Sequence, residues 1–234
     1  MLRLAMFLLP NSFDLENTHL DYFVSPESKN PGKLWLSSGI HGDEFSVIAP
    51  LRELVEVWAS RLPSTIFVPI ISPTAAATVT RNNHFDHDLN RMFGTGILDS
   101  EVMATEKLVR AAGPFDLAVS FHEDIEFDLA YLLDAGEPFY KLELQAWQNG
   151  LRAGGLKLLD GLDDIENLTM ALEFISGYQQ EIIVPEFGLF EYWIVREKLA
   201  KRSLTIEVPT AATLDQKKLI INQTFEHLIL PAFA

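Results

Sequence analysis

The chain has 234 residues, 48% of them hydrophobic and 22% charged, which is ample material for one sizeable core and unlike the composition of a disordered chain. Its 18 basic and 33 acidic residues leave a formal charge of −15, so the surface repels nucleic acid and anionic membranes, and neither is an expected partner. With no cysteine, disulfides and thiolate metal sites are excluded.

The opening stretch MLRLAMFLLPNSF is apolar up to Pro10, too short for a membrane span and followed by no small-residue cleavage site. It reads as a first strand or core segment, and the protein as soluble and cytoplasmic. Residues 19–25 (HLDYFVS) alternate like a strand, and residues 33–40 (KLWLSSGI) form another after the turn ESKNPG. Residues 43–62 place Val47, Leu51, Leu54 and Trp58 at helical spacing, with Pro50 near the first turns, where proline disrupts least. Residues 65–72 (TIFVPIIS) read as a buried strand, although Pro69 favours a sheet edge. A helix over 100–113 starts with Ser100 as cap and ends at Gly113. An apolar strand over 116–121 follows, then a helix over 137–155 stopped by Gly154 and Gly155. A strand over 203–208 and a helix over 213–230 close the chain. Residues 156–190 show no readable pattern.

Strands alternating with helices predict an α/β fold, a mostly parallel twisted sheet covered by helices on both faces. There is no internal repeat or linker, so residues 1–234 are expected to form a single domain. In such sheets ligands gather beyond the carboxyl ends of the strands. His41, His122 and Glu207 each lie at or just past the end of a predicted strand.

In HGDE, His41 and Glu44 stand three apart at a strand-to-helix turn, and Gly42 permits a sharp backbone there. Imidazole and carboxylate both suit zinc, and catalytic zinc sites use such ligands with a water. Equally, Asp43 and Glu44 could cap the next helix. His122, in LAVSFHED, is placed to supply a third ligand, or to bond a neighbouring acid such as Glu123 or Asp124. In the stretch SPTAAATVTRNNHFDHDLNRMF, Arg81, Asn90 and Arg91 offer a local anion receptor, Arg being suited to bidentate carboxylate capture. Surface pairing with Asp86 or Asp88 is the plainer alternative. Glu207, between Ile206 and Val208 in a strand, is either a functional carboxylate or an outward-facing residue. His84, His87, Asp86 and Asp88 could hold a second metal, or simply form a polar loop.

The series H-x-x-E, D-L-N-R-x-F, strand-His and strand-Glu resembles the zinc carboxypeptidase family, in particular the branch of succinylglutamate desuccinylase and aspartoacylase. The resemblance runs from about residue 34 to 209. It implies a mixed sheet of about eight strands between helices, with one zinc per chain held by His41, Glu44 and His122. Glu207 would be the catalytic base. Arg91 with Asn90 would grip the substrate's free carboxylate, and Arg81 would polarise the scissile carbonyl. The family's loop tyrosine has no clear equivalent: counting back from Glu207 reaches Val195, with Tyr192 one turn earlier as a substrate-binding candidate or a helix core residue. Glu186 is a rival base.

The activity so implied is zinc-dependent hydrolysis of an amide bond next to a free carboxylate, by a carboxypeptidase-like metallopeptidase acting on small peptides. The alternatives are an N-acyl amino acid deacylase and a non-catalytic binding module on the same fold.

Overall fold

A computed structural model describes residues 9–15, 18–25, 31–136, 141–163, 171–180 and 188–234. In chain order the strands are β1 (Leu9–Leu15), β2 (Thr18–Val24), β3 (Lys33–Ser38), β4 (Ser64–Val68), β5 (Leu117–Asp124), β6 (Tyr131–Ala135), β7 (Gly161–Leu162), β8 (Glu173–Phe174), β9 (Tyr178–Gln180) and β10 (Ser203–Pro209). The α-helices are α1 (Ile48–Trp58), α2 (Pro73–Thr78), α3 (Ser100–Ala112), α4 (Lys141–Ala153), α5 (Phe190–Arg196) and α6 (Leu214–Thr224).

Eight strands form one mixed sheet in the order β1-β2-β4-β3-β5-β10-β6-β9. The pairings β4–β3, β3–β5, β5–β10 and β6–β9 are parallel; β1–β2, β2–β4 and β10–β6 are antiparallel. The central strands are apolar on both faces because both faces are covered. Leu34 and Leu36 of β3 join the core under α1, α4 and α6, while Trp35 between them joins the core under α3 and α5. No helix among the described residues is long and apolar enough to cross a membrane.

Several local expectations shift. The described part of the opening stretch is an edge strand turned largely to solvent, and residues 1–8 lie outside the described residues. Helix α1 begins at Ile48 rather than at Asp43. The N–H groups of Ser46 and Val47 are given to the Glu123 carboxylate, at 2.6 and 3.2 Å, before helical bonding begins. β4 stops before Pro69, whose carbonyl accepts the Ser38 hydroxyl at 2.7 Å. Asp99, not Ser100, caps α3, accepting from the N–H groups of Glu101 and Val102. β5 runs on to Asp124, so His122 lies within the strand rather than just past it.

The sheet's register sets up the chemistry. On β10, Glu207 is paired with His122 of β5 on one side and with Tyr131 of β6 on the other.

Candidate metal centre and active site

His41 leaves β3 in the turn that leads to Glu44. Gly42 in that turn has no left-handed torsion. Glycine is needed there because a Cβ would lie 2.0 Å from the carbonyl carbon of Ala75 in α2. The tight contact seats the HGDE turn on α2, and Gly42 N–H donates to Thr80 O at 2.9 Å.

The turn aims two side chains at one point. His41 Nδ1 lies 2.6 Å from Glu44 Oε1, and His122 Nδ1 lies 3.0 Å from Glu44 Oε2. All three side chains are buried. Their ligand atoms lie within 4.8 Å of one another, the one such His/carboxylate cluster among the described residues. Each imidazole presents Nδ1 to the cluster and turns Nε2 to a carboxylate behind it: Asp88 at 3.0 Å for His41 and Glu191 at 3.3 Å for His122. Metal-binding histidines are held in this way, because the outer carboxylate fixes the ring and raises its basicity. Two imidazole nitrogens and a carboxylate, each backed by a partner, therefore fit a zinc ion.

Around the cluster is a cavity of about 880 Å³, lined among others by Arg81, Asn90, Arg91, Tyr131, Glu191 and Glu207. Arg81 bonds Asp88 and brings Nη1 to 4.0 Å from Glu44 Oε1. Arg91 is exposed at the cavity edge. Asn90 is turned inward: its Oδ1 accepts Phe190 N–H at 2.8 Å and its Nδ2 donates to Glu191 at 3.3 Å. Tyr192 is buried on α5 and does not line the cavity, although its neighbour Glu191 does. The phenol in the cavity wall belongs instead to Tyr131, which donates to Asp124 at 2.6 Å. Glu186 lies outside the described residues.

His84, Asp86, His87 and Asp88 do not converge. His84 meets Thr74 at 3.0 Å, His87 meets Asp99 at 2.9 Å, and Asp86 accepts from Asn82 at 2.8 Å. Asp88 has turned to His41.

Glu123, next to His122, is an unforeseen anchor. Besides the N–H groups at the start of α1, its carboxylate accepts the Ser46 hydroxyl and pairs with Lys217 of α6, and both charged groups are buried. Its own N–H donates to Glu44 Oε2 at 3.2 Å. Asp88 could have been found from its place in D-L-N-R. Glu191 is an acid in an apolar run, and that was its one signal. Lys217 carries none, because its partner is 94 residues away.

Proton affinities follow from this packing. Burial lowers the affinity of both imidazoles, but facing carboxylates outweigh it: Asp88 and Glu44 raise His41, and Glu44 and Glu191 raise His122 well above its ordinary value. Burial raises Glu44, and the two histidines overcome it and hold its carboxyl well below the usual range. Glu207 is pushed up to about 8, mainly by burial, opposed by His122 and aided by Glu44, Asp124 and Glu191. A carboxyl of such affinity can take and return a proton near neutral pH.

The sequence and the fold are both similar to those of known proteins. The family model of the succinylglutamate desuccinylase/aspartoacylase catalytic domain matches residues 31–230. The chain belongs to that family. No curated protein matches the sequence significantly. Among solved structures, a Shewanella baltica protein described as a metallopeptidase has a TM-score of 0.75 and 20% identity, over 99% of this chain and 88% of its own. The murein-tripeptide amidase of Escherichia coli O157 has a TM-score of 0.58 and 19% identity, over 97% and 90%. An aspartoacylase family protein of Mesorhizobium loti has a TM-score of 0.54 and 20% identity, over 92% and 64%. At these identities the structural likeness speaks for the carboxypeptidase-like fold.

Proposed function

We propose that the protein is a zinc-dependent hydrolase that cleaves an amide bond next to a free carboxylate, with His41, Glu44 and His122 holding the ion. The observation that carries this reading is the convergence of both Nδ1 atoms on the Glu44 carboxylate, with Glu207 one strand away in register with His122. Zinc, when bound, supplies a Lewis acid and lowers the pKa of a water to near ~7.

The chain's own groups do the rest. Glu207 takes a proton from the attacking water and returns it to the departing amine, so one carboxyl serves as base and then acid. The guanidinium of Arg81, beside the ligand cluster, steadies the negative charge that develops on the carbonyl oxygen. Arg91 binds the substrate's carboxylate, and Asn90, fixed by Phe190 and Glu191, holds Arg91 in place through a 2.7 Å bond from Nη1 to its own carbonyl. The cavity's size suits an acylated amino acid or a short peptide.

Carboxypeptidase-like peptidase activity is the leading reading. Deacylation of an N-acyl amino acid is the second, favoured by the family model over residues 31–230. Two measurements test the proposal. Elemental analysis should find one zinc per chain, lost in His122→Ala; no zinc after incubation with excess metal would leave a binding module instead. A panel of short peptides and N-acyl amino acids then separates the two activities by which class turns over.

A further inference from the structure

Glu191 lies in the first turn of α5, in the sequence FEYWIVR, and is 3% exposed, a carboxylate among apolar and aromatic neighbours. Burying such a charge is costly unless its oxygens are bonded. Here each oxygen has a separate partner: Oε1 faces His122 Nε2 and Oε2 accepts from Asn90 Nδ2, both at 3.3 Å. Asn90 returns the contact through Oδ1, which accepts Phe190 N–H at 2.8 Å. The start of α5 is thus joined to residues 90–91 by two hydrogen bonds. The backbone is shaped for the same approach. Gly188 has φ +62°, and a Cβ on it would lie 2.3 Å from Arg91 O; its own carbonyl accepts Phe93 N–H at 2.9 Å.

We propose that Glu191 is a positioning residue that couples the metal centre to the carboxylate clamp, an inference that rests on the function proposed above. By accepting from His122 Nε2 it fixes the ring with Nδ1 toward Glu44. By accepting from Asn90 it fixes the turn whose carbonyl receives Arg91 Nη1 at 2.7 Å. A carboxylate serves both donors, because it offers an acceptor oxygen to each. Glutamine has one acceptor oxygen, and its amide would oppose the N–H of either His122 or Asn90. A role confined to helix stability would lower the melting temperature and leave the ligands' chemistry alone.

The test compares wild-type protein with Glu191→Gln. Zinc affinity is measured by competition with a chromophoric chelator, and the visible spectrum of the cobalt-substituted protein reports ligand geometry. In a variant with wild-type circular dichroism, zinc affinity should fall by about 10- to 100-fold and the cobalt spectrum should change. At saturating zinc, KM for a carboxylate-bearing substrate should rise more than kcat falls. Unaltered zinc affinity and cobalt spectrum in a folded variant would overturn the coupling. If the variant does not fold, NMR of the zinc-loaded wild type decides. A slowly exchanging proton on His122 Nε2 supports the coupling, whereas a proton on Nδ1, or rapid exchange at Nε2, overturns it. Wild-type protein that takes up no metal would remove the functional reading and this inference together, a result distinct from an unaffected variant.

Discussion

Glu207 and His122 are direct neighbours in the parallel register of β10 and β5. That relationship puts the candidate base beside a metal ligand although 85 residues separate them in sequence, and it depends on sheet pairing rather than on a loop. Side chains paired across neighbouring strands share one face, so the two groups project into the same cavity. Glu207→Gln keeps the shape and removes the proton acceptor. It should retain one zinc per chain and lose about 10²–10⁴-fold in kcat, the usual share of general acid–base catalysis. Wild-type turnover in that variant would take the base role away from Glu207.

The cluster's proton affinities give a pH prediction for the metal-free protein. His41 and His122 are raised above their ordinary value of 6.5, and Glu207 is raised from 4.5 to about 8. A raised group contributes stability that is fully present below its unfolded value and lost as pH rises through its folded value. For Glu207 that loss runs from 4.5 to about 8, and for the histidines it begins at 6.5. Glu44 and Asp88 are depressed, so their contribution is present above the unfolded value and lost only on acidification. Melting temperatures of chelator-treated protein should therefore fall as pH rises above 4.5, and fall further once it passes 6.5. Zinc needs the imidazoles unprotonated, so loading should release protons in weakly buffered solution, and affinity should rise with pH. Zinc uptake without proton release would contradict the raised imidazoles.

How far the site was readable in sequence depended on how local each signal was. H-x-x-E, D-L-N-R and the strand ends at His122 and Glu207 are short-range patterns, and the structure brings all of them to one cavity. Alternating strands and helices likewise pointed to a mostly parallel sheet, and it was the family resemblance that implied a mixed one. The start of α1 was misread because Glu123, 77 residues away, takes the N–H of Ser46. α2 spans only six residues, too few for periodicity to mark it. Tyr192 was singled out by spacing along the chain, and α5 buries it, leaving Glu191 and Tyr131 to line the cavity. Gly42 read as permitting a sharp turn, yet what demands glycine is the carbonyl of Ala75, which no local pattern shows.

Lys217 and Glu123 form a buried ion pair that ties α6 to both ligand-bearing segments. Removing one partner leaves the other charge buried, at a cost of about 3–5 kcal/mol, whereas replacing both with apolar residues costs much less. Lys217→Met should lower denaturant stability by that amount, and adding Glu123→Leu should restore part of it. The double variant still leaves Ser46 N–H and Val47 N–H without their acceptor, so recovery should be incomplete. Equal stability of Lys217→Met and wild type would mean that the pair is not formed in solution.

Arg91 separates substrate binding from chemistry. It lies at the cavity edge, and its backbone is held by Asn90 and the start of α5, so truncating the guanidinium should not disturb the metal ligands. A charge-assisted hydrogen bond is worth about 1.5–3 kcal/mol, which corresponds to a rise in KM of about 10- to 150-fold for Arg91→Met. The effect should be confined to substrates with a free carboxylate. An analogue capped as its primary amide should be hydrolysed with similar KM by both proteins. Arg81→Met should show the opposite pattern, with a lower kcat and a smaller change in KM, because Arg81 lies beside Glu44 and acts on charge that appears only during reaction. If Arg91→Met raised KM equally for capped and free substrates, the carboxylate clamp would have to be sought elsewhere in the cavity.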